Sequence, residues 1–178
     1  TSGLLIVAAT HRAAREASEA LRDGLVEKDY LARVHGAFAL CAVGETISLI
    51  DRLAKTGPAG HEKVRPGQEA GREAVALAAP LLVTDDRSLM RLRLLTGRTH
   101  QLRVHLASRG HAIVGDAKYG PKETARGGQG LCLHCWRMAL FSRTFELPPP
   151  WVGETAVPDG LLSAEPSDMP PSGPPPAP

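Results

Sequence analysis

LLTGRTHQLRVHLASRGHAIVGDAKYG, Leu94 to Gly120, decides how the rest of this chain is read. Just before and into it, Leu89 to Leu95 alternates apolar residues with Arg91 and Arg93, the period-two pattern of a strand. Gly97 then permits a tight strand-to-helix turn. Thr99 is the candidate N-cap, Leu102, Val104, Leu106 and Ala107 form one apolar helix face, and Gly110 marks the helix end. From Arg91 to Gly110 there are five Arg, two His and no acid, and the next acid is Asp116. The simplest account is a solvated helix face, since surface Arg are common. Two features favour a site instead. Arg98 lies beside Gly97, ahead of the helix, where its guanidinium and the helix N-terminus can face one anion. The basic residues are also interleaved with core residues on a segment leaving a core strand, where a charge can be held rigidly.

Working outward, Leu4 to Ala9 is a continuous apolar run and is expected to be a strand buried on both faces. Thr10 can cap a helix in which Ala13, Ala14, Ala17, Ala20 and Leu21 recur at helical spacing, with Gly24 at its end. Tyr30, Ala32 and Val34 alternate with Leu31 and Arg33 and predict a strand; Ile47 to Leu53 is another candidate. Lys55 to Gly71 is dominated by Gly, Pro and charge and reads as a long loop or loose hairpin. Ala74 to Val83 is apolar but interrupted by Pro80, which leaves its type open. AIVGD, residues 112–116, reads as a short strand or turn, and LCLHCWRMALF, residues 131–141, as a late strand. From Leu147 to the end, 11 of the chain's 15 Pro fall in 32 residues. Residues 148–178 are therefore expected to be a Pro-rich disordered tail, with the folded domain ending at 147. No internal repeat is visible.

Charge is unevenly placed. Residues 147–178 carry four acids and no Lys or Arg, which leaves 21 Lys and Arg against 15 Asp and Glu on residues 1–146. A basic body points to a polyanionic partner. Three Cys do not make a disulfide framework and suggest a reducing, cytoplasmic setting. No apolar run approaches the roughly 18 residues of a membrane span, and no signal peptide is present. His100 and His105 are five apart, not the four that set two metal ligands on one helix face. Cys132 and Cys135 form a single C-x-x-C around His134, and a structural zinc site needs four ligands. The spacing therefore disfavours zinc, and the two Cys are expected to be small apolar residues of a strand.

The segment 94–120 closely resembles the most recognisable motif of the RluA-type RNA pseudouridine synthases. TSGLLIVA at the start resembles the second half of that family's catalytic motif, VEKDYLARVHG its lysine–x–tyrosine strand, and LCLHCWRMALF its late leucine–histidine–alanine strand, with Cys135 where Ala is usual. The four matches occur in the family's order over residues 1 to about 150. GHEKVRPGQEAGREA also resembles, more weakly, the hairpin region of members acting on large-subunit ribosomal RNA.

The resemblance implies an isomerase that converts uridine to pseudouridine in structured RNA, with no cofactor and no metal, on a monomeric chain. It implies an α+β fold: a central, mostly antiparallel mixed sheet with flanking helices and a cleft. By match, Tyr30 is the active-site tyrosine, which stacks on the base or assists proton removal, and Arg98 pairs with the catalytic Asp. Lys28 would be a structural family position, as would Asp116. Arg91, Arg93, Thr99, His100, Gln101, Arg103, His105 and Arg109 are then expected to face RNA. The family's Asp lies three residues before the threonine matching Thr1. The chain is accordingly expected to be the C-terminal part of a catalytic domain and to be inactive by itself. The alternatives are a non-catalytic RNA-binding module that keeps the basic cleft, and a zinc-stapled structural domain.

Overall fold

The computed structural model describes residues 1–57, 63–67, 69–121 and 130–162. Among them are β1 (Ser2–Gly3), α1 (His11–Arg22), β2 (Glu27–His35), β3 (Ile47–Thr56), β4 (Lys63–Arg65), β5 (Arg72–Val83), β6 (Arg87–Leu94), α2 (Gln101–Ser108), β7 (Leu133–Leu140) and β8 (Arg143–Glu146), followed by a 3-10 turn at Gly153–Thr155. The strands form one sheet in the order β1-β7-β2-β6-β5-β3-β4, and β8 also pairs with β7. β1 runs parallel to β7, with Ser2 opposite His134 and Gly3 opposite Cys135, and the other pairings are antiparallel. This is the expected mixed, mostly antiparallel α+β architecture.

Period-two alternation sorts the side chains onto two faces. On the front, Ala32, Val34, Ala76, Ala78, Met90 and Leu92 meet Leu102 and Leu106 of α2, together with Phe38 and Ile113. Toward the β7 end, Ala20 of α1 and Val26 pack on Cys135 and Met138. The back face carries Leu31, Leu89 and Trp136. Pro80 is tolerated inside β5 because β3 pairs with that strand only up to Ala78. Its missing N–H therefore costs no ladder bond to β3, the Pro80 carbonyl instead accepts the Gly44 amide at 2.9 Å, and the β5–β6 ladder absorbs a bulge between Pro80 and Leu82.

Three expectations need correction. Leu4 to Ala9 is not a strand buried on both faces. Only Ser2–Gly3 is strand, and while Leu4 and Ile6 pack against α1 and β7, Leu5 and Val7 are each 81% exposed, because the segment lies at the sheet edge. Thr10 does cap α1, accepting from the Ala13 amide at 3.1 Å, but Thr99 does not cap α2. The residue there is His100, in the left-handed region at φ 55°, with no side-chain cap. Finally, the packed body continues past residue 147. Arg33 donates to the carbonyls of Thr155 and Ala156. Trp151, Val157, Leu161 and Leu162 lie against the Leu31–Leu89–Trp136 cluster and cover the back of the sheet. Residues 163–178 of the expected tail, and parts of the 55–71 loop, lie outside the described residues. The rest of that loop is a hairpin, with β4 pairing onto the end of β3.

Candidate functional site

The acid-free window finds its acids in distant elements. Asp29, 1% exposed on the back of β2, accepts from Arg91 Nη2 at 2.8 Å and from Arg93 Nε and Nη2 at 2.6 and 2.9 Å. Arg137 lies 3.6 Å from the same carboxylate. Burial works against the Asp29 carboxylate, but the hydrogen bonds from Arg93 and Arg91 outweigh it and hold its pKa below the ordinary value. Asp116 takes a two-pronged bond from Arg103, at 2.7 and 2.6 Å, and accepts the backbone amides of Lys118 and Tyr119. These donors likewise overcome burial and lower its pKa. Asp51 on β3 accepts from Arg109 at 2.7 Å and bonds His105 Nδ1 at 2.6 Å. His105 is fully buried with no partner at Nε2, so burial depresses its pKa in spite of Asp51.

These contacts revise the RNA-facing set. Arg91, Arg93, Gln101 and His105 are buried, and Arg103 and Arg109 are engaged by carboxylates. A buried charge is costly unless it is paired and hydrogen-bonded, and the sheet and helix supply a carboxylate to each of these four arginines. Gln101 serves the turn itself. Its side chain accepts from the Arg98 amide and the Thr96 hydroxyl, and donates to the Val75 carbonyl, each at 2.9 Å. Sequence reasoning missed Asp29, although one signal was present. Arg91 and Arg93 share one face of β6, and a buried pair of cations needs an acid on the neighbouring strand; Asp29 stands directly opposite Arg93.

Arg98 stands apart. It is exposed, its Nε donates to the Glu73 carbonyl at 3.0 Å, and no carboxylate among the described residues pairs with it. It lines a pocket of about 410 Å³ with Gly97, Thr99, Leu53, Ala54, Lys55, Val64, Ala70 and Arg72. Among the described residues three cations and no acid border this space, an arrangement suited to phosphate or carboxylate. Thr99 thus lines the pocket, and His100 stands beside it with Nδ1 2.9 Å from the Tyr119 hydroxyl. Tyr30 is half-buried on the front face of β2, opposite Leu92 of β6 and Cys135 of β7. Burial pushes its phenol pKa well above the ordinary value, with the Cys135 thiol adding to the shift. Burial also lowers the pKa of Lys28, two residues earlier on the same face. No hydrogen bond or ion pair joins Tyr30 to Arg98. Cys132 lies just before β7 and packs in the core under α2, whereas Cys135 packs with Ala20, Val26 and Met138, so the two thiols belong to different clusters. Among the described residues no three His, Cys, Asp or Glu side chains gather as a metal site, and no helix is long and apolar enough to cross a membrane.

Comparison with known proteins agrees with this architecture. The sequence model of a family described as RNA pseudouridylate synthase matches residues 1–108. A dual-specificity RNA pseudouridine synthase RluA of Yersinia pestis is 33% identical over 149 residues, covering 83% of this chain and 70% of that protein. A ribosomal large subunit pseudouridine synthase C of Pasteurella multocida is 36% identical over 161 residues, covering 87% and 46%. An uncharacterised RNA pseudouridine synthase of Helicobacter pylori is 33% identical over 151 residues, and this chain spans 59% of it. The chain thus spans roughly half to two thirds of the length of such relatives. Among solved structures, human RNA pseudouridylate synthase domain containing 1 superposes with a TM-score of 0.63 at 25% identity, over 81% of this chain and 63% of that one. A family match over more than half of the residues, together with relatives at this identity, shows that the chain belongs to the RNA pseudouridylate synthase family, as an RluA-type member.

Proposed function

We propose that the protein to which this chain belongs isomerises uridine to pseudouridine in RNA, with ribosomal RNA as the substrate, as a cytoplasmic monomer needing no cofactor or metal. The observation that carries this reading is the state of Arg98. Each other arginine between Arg91 and Arg109 is held by a carboxylate, whereas Arg98 is oriented through Gln101 and Glu73 and turns its charge toward a pocket with no acid among its described lining residues. A guanidinium placed this way can bind and tune a catalytic carboxylate, the role the family resemblance gives it. That carboxylate would be the family's Asp, three residues before Thr1. Tyr30 keeps its proton at neutral pH, which supports stacking and hydrogen bonding to an extruded base over service as a phenolate base. Lys55 and Arg72, with Lys63 and Arg65 exposed on β4, supply the phosphate contacts in place of the buried arginines.

The test is a pseudouridine assay on ribosomal RNA. It compares the 178-residue chain, the chain extended upstream through the expected Asp, and the same extension with Asn there. Turnover is expected only in the second, with RNA binding in all three that weakens as salt rises. Turnover by the 178 residues themselves would place the nucleophile among them and refute the assignment. Binding by all three with turnover by none would make the protein a non-catalytic RNA-binding module.

A further inference from the structure

Tyr119 is not among the residues that line the basic pocket, yet the two walls of that pocket meet on its hydroxyl. One wall is the β3–β4 arm, represented by Leu53, Lys55 and Val64; the other is the turn carrying Arg98 and Thr99. The Val64 amide, on the side of β4 turned away from β3, donates to Tyr119 Oη at 3.1 Å. His100 Nδ1 lies 2.9 Å from the same oxygen. That oxygen accepts from Val64, and in the neutral tautomer that leaves His100 Nδ1 unprotonated the phenol hydrogen donates to the imidazole. Burial, Arg103 and Lys118 all depress the His100 pKa and favour that form.

The phenol is itself firmly placed. Its ring packs against Leu53, Val64, Ala74 and Val104. The Arg103 guanidinium lies 5.0 Å from the ring centroid and is fixed from below by Asp116. Asp116 Oδ1 accepts the Tyr119 amide at 3.0 Å. The turn closes on Gly120, where a Cβ would stand 2.6 Å from the Asp116 carbonyl oxygen, so only glycine fits. The chain Asp116–Arg103–Tyr119 is therefore a rigid post whose tip ties a short three-residue strand to a turn held in a left-handed conformation.

We propose that Tyr119 is a positioning residue whose hydroxyl fixes the separation of the β4 arm and the Arg98–His100 turn, and thereby the shape of the basic pocket that grips RNA phosphate. This rests on the reading of that pocket as the RNA interface. The hydroxyl touches neither RNA nor the reacting atoms; it acts through Val64 and His100.

The test measures binding of a fluorescein-labelled single-stranded oligouridylate to the chain by anisotropy, well below the melting temperature of every variant. Arg72→Ala probes the pocket. Tyr119→Phe keeps the ring, its packing and the Arg103 contact but removes both hydrogen bonds. Tyr119→Phe is expected to weaken binding about tenfold in the wild-type background. In the Arg72→Ala background the same change is expected to cost only about twofold, since both act on one pocket. His100→Asn cuts the same link from the other end and keeps a residue that tolerates the left-handed backbone; it too is expected to weaken binding. Unchanged binding in Tyr119→Phe or His100→Asn, with Arg72→Ala still weakened, overturns this inference and leaves the pocket reading intact. A full tenfold loss persisting beside Arg72→Ala also overturns it, because the effect would then lie elsewhere. Failure of the wild-type chain to bind, or indifference to Arg72→Ala, refutes the pocket reading and this inference with it.

Discussion

Asp29→Ala removes one carboxylate from behind the sheet and should be among the most destabilising single changes in the chain. The side chains involved leave little room for water to compensate, at 1% exposure for Asp29, 3% for Arg91 and 4% for Arg93. Without Asp29 the two guanidinium groups lose the anion that bridges them, at 2.6 to 2.9 Å, and Arg137 loses a neighbour at 3.6 Å. Glu27 and Glu146 remain, but Glu27 stands 3.7 Å from Arg93 and Glu146 is 56% exposed beside Arg137, too far out to replace the lost charge. Breaking a buried pair from one side costs about 3–5 kcal/mol. For a chain of this size each kcal/mol lowers Tm by about 2–4 °C, so a fall of roughly 6–20 °C is expected. Circular dichroism melts at neutral pH measure it, with Asp29→Asn falling between the two because its amide oxygen still accepts. The pH dependence supplies a second check. The folded pKa lies below the ordinary 3.8, so the stabilisation is complete above that value and drains as pH falls through the lower folded one. The gap between wild type and Asp29→Ala should narrow in that acid range. A Tm within about 2 °C of wild type at neutral pH would show that these charges are solvated and that the back-face cluster is misread.

In the completed enzyme, Arg98→Ala should reduce turnover far more than RNA affinity, by the roughly 3–5 kcal/mol lost when a carboxylate forfeits its partner, and Arg98→Lys should not rescue it because a point charge cannot replace a planar fork; near wild-type turnover in single-turnover assays would sink that role. Deleting residues 158–178, harmless by composition alone, should instead lower Tm by roughly 4–8 °C, since it strips Leu161 and Leu162 from the Leu31–Leu89–Trp136 cluster at about 1 kcal/mol each; an unchanged Tm would mean that this cover contributes nothing. His105 should titrate below 6.5 by proton NMR, and because its folded pKa is depressed it contributes stability above 6.5 that is lost as pH falls through the folded value; a titration at or above 6.5 would contradict its burial.

Strands β2 and β6 were legible because each carries its own period-two signal, whereas β5 is buried on both faces and interrupted by Pro80, and β4 is only three residues long. The KDYLARVH alternation gave β2, Arg91 and Arg93 among leucines gave β6, and Thr10 gave the start of α1. The ion pairs were not legible in the same way, because they are non-local. Asp29 lies 62 residues from Arg91 and 64 from Arg93, and Asp51 lies 58 from Arg109. A local reading therefore saw a block of cations with no anion and assigned all of it except Arg98 to a polyanion. The pocket cations Lys55 and Arg72 were missed for the same reason: they sit at the two ends of a segment read as loop, and only the β3–β4–β5 hairpin brings them beside Arg98. The C-terminal cover was hidden by its prolines, which exclude regular structure without excluding packing. Trp151, Val157, Leu161 and Leu162 need only reach an apolar face, and an extended strap can do that.

Why the segment concentrates so many cations follows from what each must do. Arg91 and Arg93 from β6, and Arg103 and Arg109 with His105 around α2, lock the strand and helix to β2, to the Asp116 turn and to β3. The turn between them is thereby clamped on both sides. Gln101 and Thr96 then tie its backbone to β5, the Thr96 hydroxyl taking the Val75 amide at 2.8 Å and Gln101 the Arg98 amide. Arg98 emerges from that clamp with its guanidinium unmatched by any carboxylate among the described residues. A charge meant to hold a reacting carboxylate must be rigid before the carboxylate arrives, or part of its binding energy goes into ordering the side chain. Neutralised arginines around an unneutralised one are what such preorganisation requires. The paired residues supply rigidity without competing for the anion, because their own fields are cancelled at short range by Asp29, Asp51 and Asp116. On this argument Arg103→Leu should act twice, loosening Tyr119, whose ring the guanidinium faces at 5.0 Å, and leaving the buried Asp116 carboxylate uncompensated behind the turn, so oligouridylate binding should weaken; unchanged anisotropy would refute it.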